Sequence, residues 1–252
     1  MKSQSRIPNK IIERFKKIDS ATVYSGVFKL GLQGSQFPAG LHEQASWQNC
    51  FIKGVKSMTP GKKLVARAVT LRCVPPRPDL LEFTRKGEFS PEYEAMGSCG
   101  PGDVLVIDGM RDKGYSILGN IKTRHLYMQN AEGLVTDSAI RDIDKISKDY
   151  DLSVFAGDRV ATANRPAIEP YEANVPIGCG GALVMPGDLI VADDDGVVVV
   201  PNQLVEEIID WAEEHEKVEE FIMKLIDQEN APPGRYYPIS EETIKKFRKS
   251  SE

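Results

Sequence analysis

The dipeptide Arg141-Asp142 comes shortly after the apolar run GLVT at residues 133–136. A guanidinium group can hold a carboxylate through two parallel hydrogen bonds, and an aspartate is a hard oxygen ligand for a divalent cation. The pair could therefore bind an anionic substrate and a metal ion together. It could also be a solvated pair at a helix start, because the same dipeptide recurs at Arg111-Asp112.

A second candidate position is Gly119-Asn120, at the head of a helix predicted for residues 119–131. The first amide groups of a helix have no partner within it, and they carry partial positive charge toward an anion. A glycine there has no Cβ, so a ligand can approach the backbone. Both candidates follow predicted strands, and ligand sites of α/β proteins gather at such strand ends.

A third candidate is Glu216. An apolar stripe at helical spacing begins near Leu204 and continues to Ala212, and the next position on that face is Glu216. An ionisable group there fits a site or a contact between subunits. The alternative is that the helix leaves the core at this point.

Two further groups of residues, an aspartate run and the cysteines, have reactive side chains, but their patterns favour a structural role. The carboxylates of Asp193-Asp194-Asp195 stand in turn chemistry, and their spacing departs from the alternating ligands of a calcium loop. The four cysteines form no C-x-x-C pair. We therefore expect a turn between strands and reduced thiols, not a metal cluster or a disulfide framework.

The composition excludes some classes of function. In 252 residues, 32 Lys and Arg against 37 Asp and Glu give a net charge of −5, the wrong sign for a protein that mainly wraps nucleic acid. The 41% of hydrophobic residues can build a core, but no apolar run approaches the roughly 18 residues of a membrane span. The amino terminus has no signal-peptide h-region, so we expect a cytoplasmic globular protein with no membrane partner and no direct nucleic-acid binding.

The pattern of elements predicts an α/β domain. The run DVLVID at 103–108, the helix at 119–131 and GLVT at 133–136 together indicate a parallel strand-helix-strand unit. Residues 74–96, with four prolines, are expected to leave the core. Other expected elements are strands at 64–73, 152–156, 182–185, 188–192 and 197–200, the last three as an antiparallel meander, and helices at 141–150 and from Asn202 onward.

Five segments together resemble the RraA-like family in order and spacing, from about residue 20 to about residue 228. They are GDVLVIDGMRD, LGN at a helix start, GLVTDSAIRD, VPIGCGGALVMPGD and VADDDGVVVVP. The resemblance implies an α/β fold, a β/β/α swivelling-type sandwich with flanking helices, in one domain over 1–252 with a carboxyl-terminal extension at 229–252. It also implies a homotrimer or hexamer with active sites between subunits.

That family includes divalent-metal-dependent aldolases of 4-hydroxy-4-methyl-2-oxoglutarate and 4-carboxy-4-hydroxy-2-oxoadipate, which also decarboxylate oxaloacetate. The resemblance implies that Arg141 binds the carboxylate of a 2-oxo acid and that Asp142 holds Mg²⁺ or Mn²⁺. It implies that the backbone amides of the Gly119-Asn120-Ile121-Lys122 turn hold the same carboxylate. A glutamate from a neighbouring subunit would be Glu216, with Glu219 and Glu220 as alternatives.

The function expected from the resemblance is therefore a metal-dependent lyase that forms a pyruvate enolate by retro-aldol cleavage or decarboxylation. Two departures bear on this expectation. Ser138 replaces the usual glycine of the D-G-x-x-R-D motif, and Asn120 stands where the aldolases carry an acidic residue. Two alternatives remain open: a non-catalytic regulator that binds a ribonuclease, as another family member does, and a dehydratase of a sugar-derived 2-oxo acid.

Overall fold

The computed structural model describes residues 5–33, 47, 49–163 and 167–250. The helices in these ranges are α1 (Asn9–Phe15), α2 (Ser20–Gln33), α3 (Leu81–Thr84), α4 (Pro91–Gly97), α5 (Asn120–Met128), α6 (Ile143–Asp149), α7 (Val205–Glu229) and α8 (Glu241–Ser250). The strands are β1 (Lys56–Ser57), β2 (Leu64–Val74), β3 (Asp103–Asp108), β4 (Ser116–Leu118), β5 (Gly133–Ile140), β6 (Ser153–Arg159), β7 (Glu169–Ala173), β8 (Leu189–Asp193) and β9 (Gly196–Val200).

The strands form one mixed sheet in the order β1-β6-β5-β3-β2-β8-β9. The central strands β6, β5, β3 and β2 are parallel, while β8 and β9 form an antiparallel hairpin beside β2. The short strand β4 pairs with β5, and β7 pairs with β2. The architecture is therefore mixed α/β, as expected from the sequence.

The sheet curves until its two ends nearly meet. The amide of Ile52 donates to the carbonyl of Val197 in β9 at 2.9 Å, and Phe51 bridges Val198. A few residues later the same segment becomes β1 and pairs with β6 at the other end of the sheet. The segment thus joins the two ends and encloses an apolar interior.

Alternation along the strands distributes the core over three layers. In β3, Val104 and Val106 face the interior of the curved sheet, while Leu105 and Ile107 face α4, α5 and α6 on the outside. Helices α1, α2 and α7 cover β8 and β9 in a third cluster. Since the central strands are covered on both faces, they read as continuous apolar runs in the sequence.

Several sequence predictions are confirmed. The strand predicted at 103–108 coincides with β3, and β5 runs parallel to it after the intervening helix α5. Asp193-Asp194-Asp195 lies at the turn from β8 to β9, where Asp193 Oδ2 accepts a hydrogen bond from the amide of Ser20 at the start of α2. All four cysteines are buried free thiols.

Three predictions are wrong here, and a fourth, the end of β5, is described with the cleft. Residues 182–185 form no strand and contribute only an isolated bridge between Val184 and Ile177, so the expected meander is a hairpin whose β8 pairs with β2. The segment 74–96 does not stay outside the core, because Ala95 and Met96 of α4 are fully buried. The helix expected at 141–150 begins only at Ile143, since Asp142 has left-handed backbone geometry.

The carboxyl-terminal residues form α8, which packs on α7 through a ring contact between Phe221 and Phe247. That one domain spans the whole chain remains a prediction. No helix within the described ranges is both long and apolar enough to cross a membrane.

Candidate active site

A cleft of about 250 Å³ lies where β4 and β5 end and α5 begins. Six of the residues expected in a site line it together: Gly119, Asn120, Ile121, Lys122, Arg141 and Asp142. The remaining lining residues are Tyr93, Ser116, Ile117, Leu118 and Ala163. The structure therefore joins the two strand-end candidates into one pocket.

The end of β5 presents Arg141 and Asp142 to this cleft. The amide of Arg141 donates to the carbonyl of Leu118 at 3.1 Å, which ties the end of β5 to the end of β4. Asp142 then adopts φ 62° and ψ 26°, and this left-handed turn directs the chain into α6. The two side chains are 43% and 38% exposed, with Arg141 Nε 3.7 Å from Asp142 Oδ2, so both remain accessible to a ligand.

Strand β5 continues through residues 137–140, whereas the run predicted from the sequence ended at residue 136. Asp137 is 2% exposed and accepts hydrogen bonds from the amides of Gly109 and Gly180, each at 2.8 Å. Burial raises the pKa of Asp137, and these amide donors oppose the rise. Asp137 is therefore a structural residue that anchors two loops to β5.

Ser138 has a similar structural role. It lies at an irregularity in the pairing of β5 with β6, is fully buried, and donates from its hydroxyl to the carbonyl of Asp112 at 2.5 Å. A Cβ on Gly109 would lie 2.3 Å from the Cβ of Ser138, so the glycine at 109 provides the room that this serine needs. Ser138 thus fastens the loop at 109–115 and is not among the residues that line the cleft.

The amino terminus of α5 forms the opposite wall of the cleft. The amide of Asn120 donates to Asp142 Oδ2 at 3.0 Å, so the helix start holds the aspartate carboxylate. A Cβ on Gly119 would lie 2.7 Å from Asp142 Oδ2 and 2.9 Å from Arg141 Nε. A residue with a Cβ at 119 would force both side chains to shift, so glycine lets Arg141 and Asp142 pack this closely against the helix start.

Asn120 also contributes a polar atom that has no partner within the described chain. Its Oδ1 is buried and accepts no hydrogen bond there. A buried amide oxygen without a donor costs free energy, so such an atom indicates a place for a ligand, a water molecule or an ion. The half-exposed carboxylate of Asp142 is the hard oxygen donor that this cleft presents, and one carboxylate suits a Mg²⁺-type ion that keeps several waters.

Sequence reasoning missed Tyr93, which lines the cleft, and its neighbour Glu92, which contacts the lining residue Lys122. Glu92 Oε2 forms an ion pair with Lys122 Nζ, and the two side chains are only 14% and 21% exposed. Both missed residues lie on α4, within the segment that was expected to leave the core. Proline at 91 after Ser90 does indicate a helix start, but nothing in the sequence places that helix against residue 122.

Glu216 does not line this cleft. Its Oε1 accepts a hydrogen bond from Thr22 Oγ1 at 2.8 Å, so in its own chain it contacts α2. Glu219 is paired with His215 at 3.3 Å on the same helix. Any role of Glu216, Glu219 or Glu220 at the cleft would require a second copy of the chain.

Comparison with known proteins adds the family. Residues 39–199, more than half of the chain, match the family model described as RraA-like, Aldolase/RraA. The chain belongs to the RraA-like family. The cleft at Arg141 and Asp142 lies within the matched residues.

A relative in Halalkalibacterium halodurans, named "Putative 4-hydroxy-4-methyl-2-oxoglutarate aldolase", is 38% identical over 128 residues, which are 50% of this chain and 60% of that protein. Among solved structures, Streptomyces coelicolor RraAS2 is 28% identical with a TM-score of 0.72, covering 86% of this chain and 97% of that one; it is described as an unusual member of the RNase ES inhibitor RraA protein family. An uncharacterised protein of Pseudomonas syringae pv. tomato has a TM-score of 0.70 at 22% identity, over 92% of this chain and 98% of its own. These likenesses confirm the RraA-like fold that the sequence motifs predicted.

Proposed function

We propose that this RraA-like protein is a divalent-metal-dependent lyase that breaks a C–C bond in a 2-oxo acid, by retro-aldol cleavage or by decarboxylation. The observation that carries the proposal is the meeting of Arg141, Asp142 and the start of α5 in one cleft. An arginine and a helix amino terminus can hold a substrate carboxylate, and an accessible aspartate can hold a divalent cation. The similarity to a protein named as an aldolase supports this assignment.

Each residue has a physical role in the proposal. Asp142 would hold Mg²⁺ or Mn²⁺ at the cleft, with Asn120 close to the waters of that ion. The bound ion would act as a Lewis acid on the 2-oxo group, where negative charge develops as the C–C bond breaks. Arg141 would hold the neighbouring carboxylate through its guanidinium fork and so fix the orientation of the breaking bond.

The start of α5 contributes to the same task. The amides of Ile121 and Lys122 lie in the first turn of the helix, where geometry provides no acceptor within the helix itself. They are therefore placed to donate to a substrate carboxylate, and the helix dipole favours its negative charge. The amide of Asn120 is already engaged with Asp142 and would instead keep the metal-binding carboxylate in place.

The test of the proposal is pyruvate release from oxaloacetate, from branched 4-hydroxy-2-oxo diacids and from 4-hydroxy-2-oxo monoacids. Each substrate is incubated with Mg²⁺, Mn²⁺ or EDTA, and an enzyme-free reaction with the same metal corrects for metal-catalysed decarboxylation in solution. We expect release above that background with a metal and none with EDTA. Absence of any metal-dependent release across the whole panel would overturn the assignment.

Asn120 leads to a specific prediction. The aldolases that this chain resembles carry an acidic residue at this position, whereas this chain carries Asn120. A carboxylate can transfer a proton and an amide cannot. We therefore expect weak oxaloacetate decarboxylation by the natural chain and an increase of up to about 10²-fold in Asn120→Asp. If that variant binds Mg²⁺ and is no faster, residue 120 does no proton transfer in this chain.

The proposal includes assembly as a homotrimer or a hexamer. Ile121 lines the cleft and is 88% exposed, and a neighbouring subunit would bury this apolar side chain. Glu216 faces α2 in its own chain and could reach a cleft only from another copy. Light scattering should report three or six times the mass of one chain, whereas a monomer at assay concentration would refute both the assembly and a shared site.

A second candidate is a regulator that binds a ribonuclease without catalysis. Its support is the similarity to RraAS2 over 86% of this chain, together with the amide at position 120. This reading predicts that no substrate in the panel is turned over and that Asn120→Asp changes nothing. The substrate panel therefore separates the two candidates.

A further inference from the structure

The first turn of α5, whose amides are proposed to hold the substrate carboxylate, is held less by apolar burial than the rest of that helix. The buried side chains of α5 are Thr123 and Leu126, and both lie beyond the first turn. Within that turn, Ile121 is 88% exposed. The orientation of the first turn therefore depends on polar contacts.

Two polar contacts tie this first turn to other elements. The amide of Asn120 donates to Asp142 Oδ2 at the end of β5, at 3.0 Å. The ammonium group of Lys122 forms an ion pair with the carboxylate of Glu92 on α4. The first contact engages the carboxylate that is proposed to hold the metal ion. The second engages no proposed metal ligand, so it can hold the turn whether or not a metal ion is bound.

Helix α4 is a firm anchor for the second contact. Its residues Ala95 and Met96 are 0% and 1% exposed and lie in one apolar cluster with side chains of β2. The side chains of Glu92 and Lys122 are 14% and 21% exposed, and an ion pair so far removed from water is only weakly screened. Glu92 therefore connects the start of α5 to a helix that the core holds in place.

From this arrangement we infer that Glu92 is a positioning residue: through Lys122 it holds the first turn of α5 in the orientation in which its amides meet the substrate carboxylate. The inference rests on the proposed function and adds a residue to its carboxylate site. It predicts a specific defect when the pair is lost. A carboxylate contact is present both in the bound substrate and in the transition state, so weakening it raises KM and changes kcat little.

The test is the double variant Glu92→Gln with Lys122→Met, which removes the ion pair and leaves the net charge unchanged. The probe is oxalate, and its Kd is measured by calorimetry with saturating Mg²⁺. We expect this Kd to rise about tenfold, a modest effect for a misplaced binding group. The Kd of Mn²⁺ alone should stay within about threefold, because Asp142 is untouched. Unchanged oxalate binding in the folded double variant would overturn the inference.

The control carries the same pair of substitutions outside the cleft, Glu94→Gln with Lys145→Met. Glu94 lies in the first turn of α4, as Glu92 does, and Lys145 is the third residue of α6, as Lys122 is of α5. Both control residues are exposed and neither lines the cleft. We expect natural oxalate binding in this control. Equal weakening in the two double variants would refute a specific role of Glu92.

Two further readouts separate positioning from general structural damage. On the best substrate, the Glu92→Gln, Lys122→Met variant should raise KM about tenfold while kcat changes by less than about threefold. Lys122→Arg should restore oxalate binding to within about threefold of the natural chain, because a guanidinium group can also pair with Glu92. A loss confined to kcat, or an equal loss in Lys122→Arg, would contradict positioning through the ion pair.

The outcomes distinguish this inference from the proposed function. If pyruvate is released but the double variant binds oxalate as the natural chain does, the lyase proposal stands and the inference is wrong. If the double variant binds oxalate more weakly but no substrate is cleaved, Glu92 positions a carboxylate site and the lyase proposal is wrong. If oxalate does not bind the natural chain with Mg²⁺, the inference is wrong whatever the turnover.

A second variant keeps the test valid if the double variant does not fold, which circular dichroism checks. Glu92→Asp shortens the side chain by one methylene and keeps its charge, so it withdraws the carboxylate from Lys122. We expect weaker oxalate binding in this variant as well. Natural oxalate affinity in Glu92→Asp would then overturn the inference.

Discussion

Asp142→Asn should reduce metal-dependent pyruvate release by more than about 100-fold while the fold stays intact. Asparagine tolerates the left-handed backbone at φ 62° and can still accept the hydrogen bond from the amide of Asn120. The variant therefore removes the charge and little else. Mutation of residues that only orient a metal ligand typically lowers metal affinity or activity by roughly 10- to 100-fold. Because Asp142 is the one carboxylate proposed to hold the metal, its replacement should lower activity by more than that.

The matched control is Asp144→Asn. Asp144 lies two residues further along, in the first turn of α6, and is exposed. Its replacement makes the same change of charge near the same helix start, and we expect nearly natural activity. Full Mg²⁺-dependent turnover in Asp142→Asn, with a melting temperature equal to that of the control, would show that Asp142 is not the metal ligand.

Arg141→Lys should lower kcat/KM by about 10- to 100-fold even though the positive charge is kept. A lysine ammonium cannot form two parallel hydrogen bonds to a planar carboxylate, and each hydrogen bond to a charged group contributes about 1.5–3 kcal/mol. The loss should appear for every substrate that is turned over, because all of them share the carboxylate next to the 2-oxo group. Steady-state kinetics on the best substrate of the panel measures it.

Arg159→Lys serves as the control for this variant. Arg159 ends β6, pairs across from Ile140 at the end of β5, and is exposed outside the cleft lining. The same conservative change one strand away should leave kcat/KM almost unaltered. A near-natural rate for Arg141→Lys would mean that Arg141 is only a surface charge.

Residues of this site that follow a local sequence pattern could be predicted, whereas residues placed by contacts between distant segments could not. Arg141 and Asp142 could be found because the apolar run of β5 precedes them, and Gly119 because a helical pattern follows it. The polar residues Asp137 and Ser138 looked like the end of that strand. They continue it because Gly109, Gly180 and Asp112 supply hydrogen-bond partners from distant segments, which no local pattern reveals.

The contribution of α4 was missed for the same reason. Glu92 and Lys122 are 30 residues apart, and the prolines and charges around residues 75–91 read as a loop outside the core. The isolated bridge at Val184 was taken for a strand because apolar residues followed by Pro186-Gly187 resemble a strand and its turn. Local sequence patterns therefore predicted the strands and helices around the cleft, whereas contacts between distant segments determine how its charged side chains are paired.

The most direct test of the central claim is a crystal structure of the protein with Mn²⁺ and oxalate, a planar mimic of the charge that develops on a cleaved 2-oxo acid. Anomalous scattering locates the ion independently of the protein model. The account predicts a Mn²⁺ peak bonded to the carboxylate of Asp142, with an oxalate carboxylate held by Arg141 and by the start of α5. A Mn²⁺ ion bound elsewhere in the chain, or oxalate bound without contact to Arg141, would contradict it.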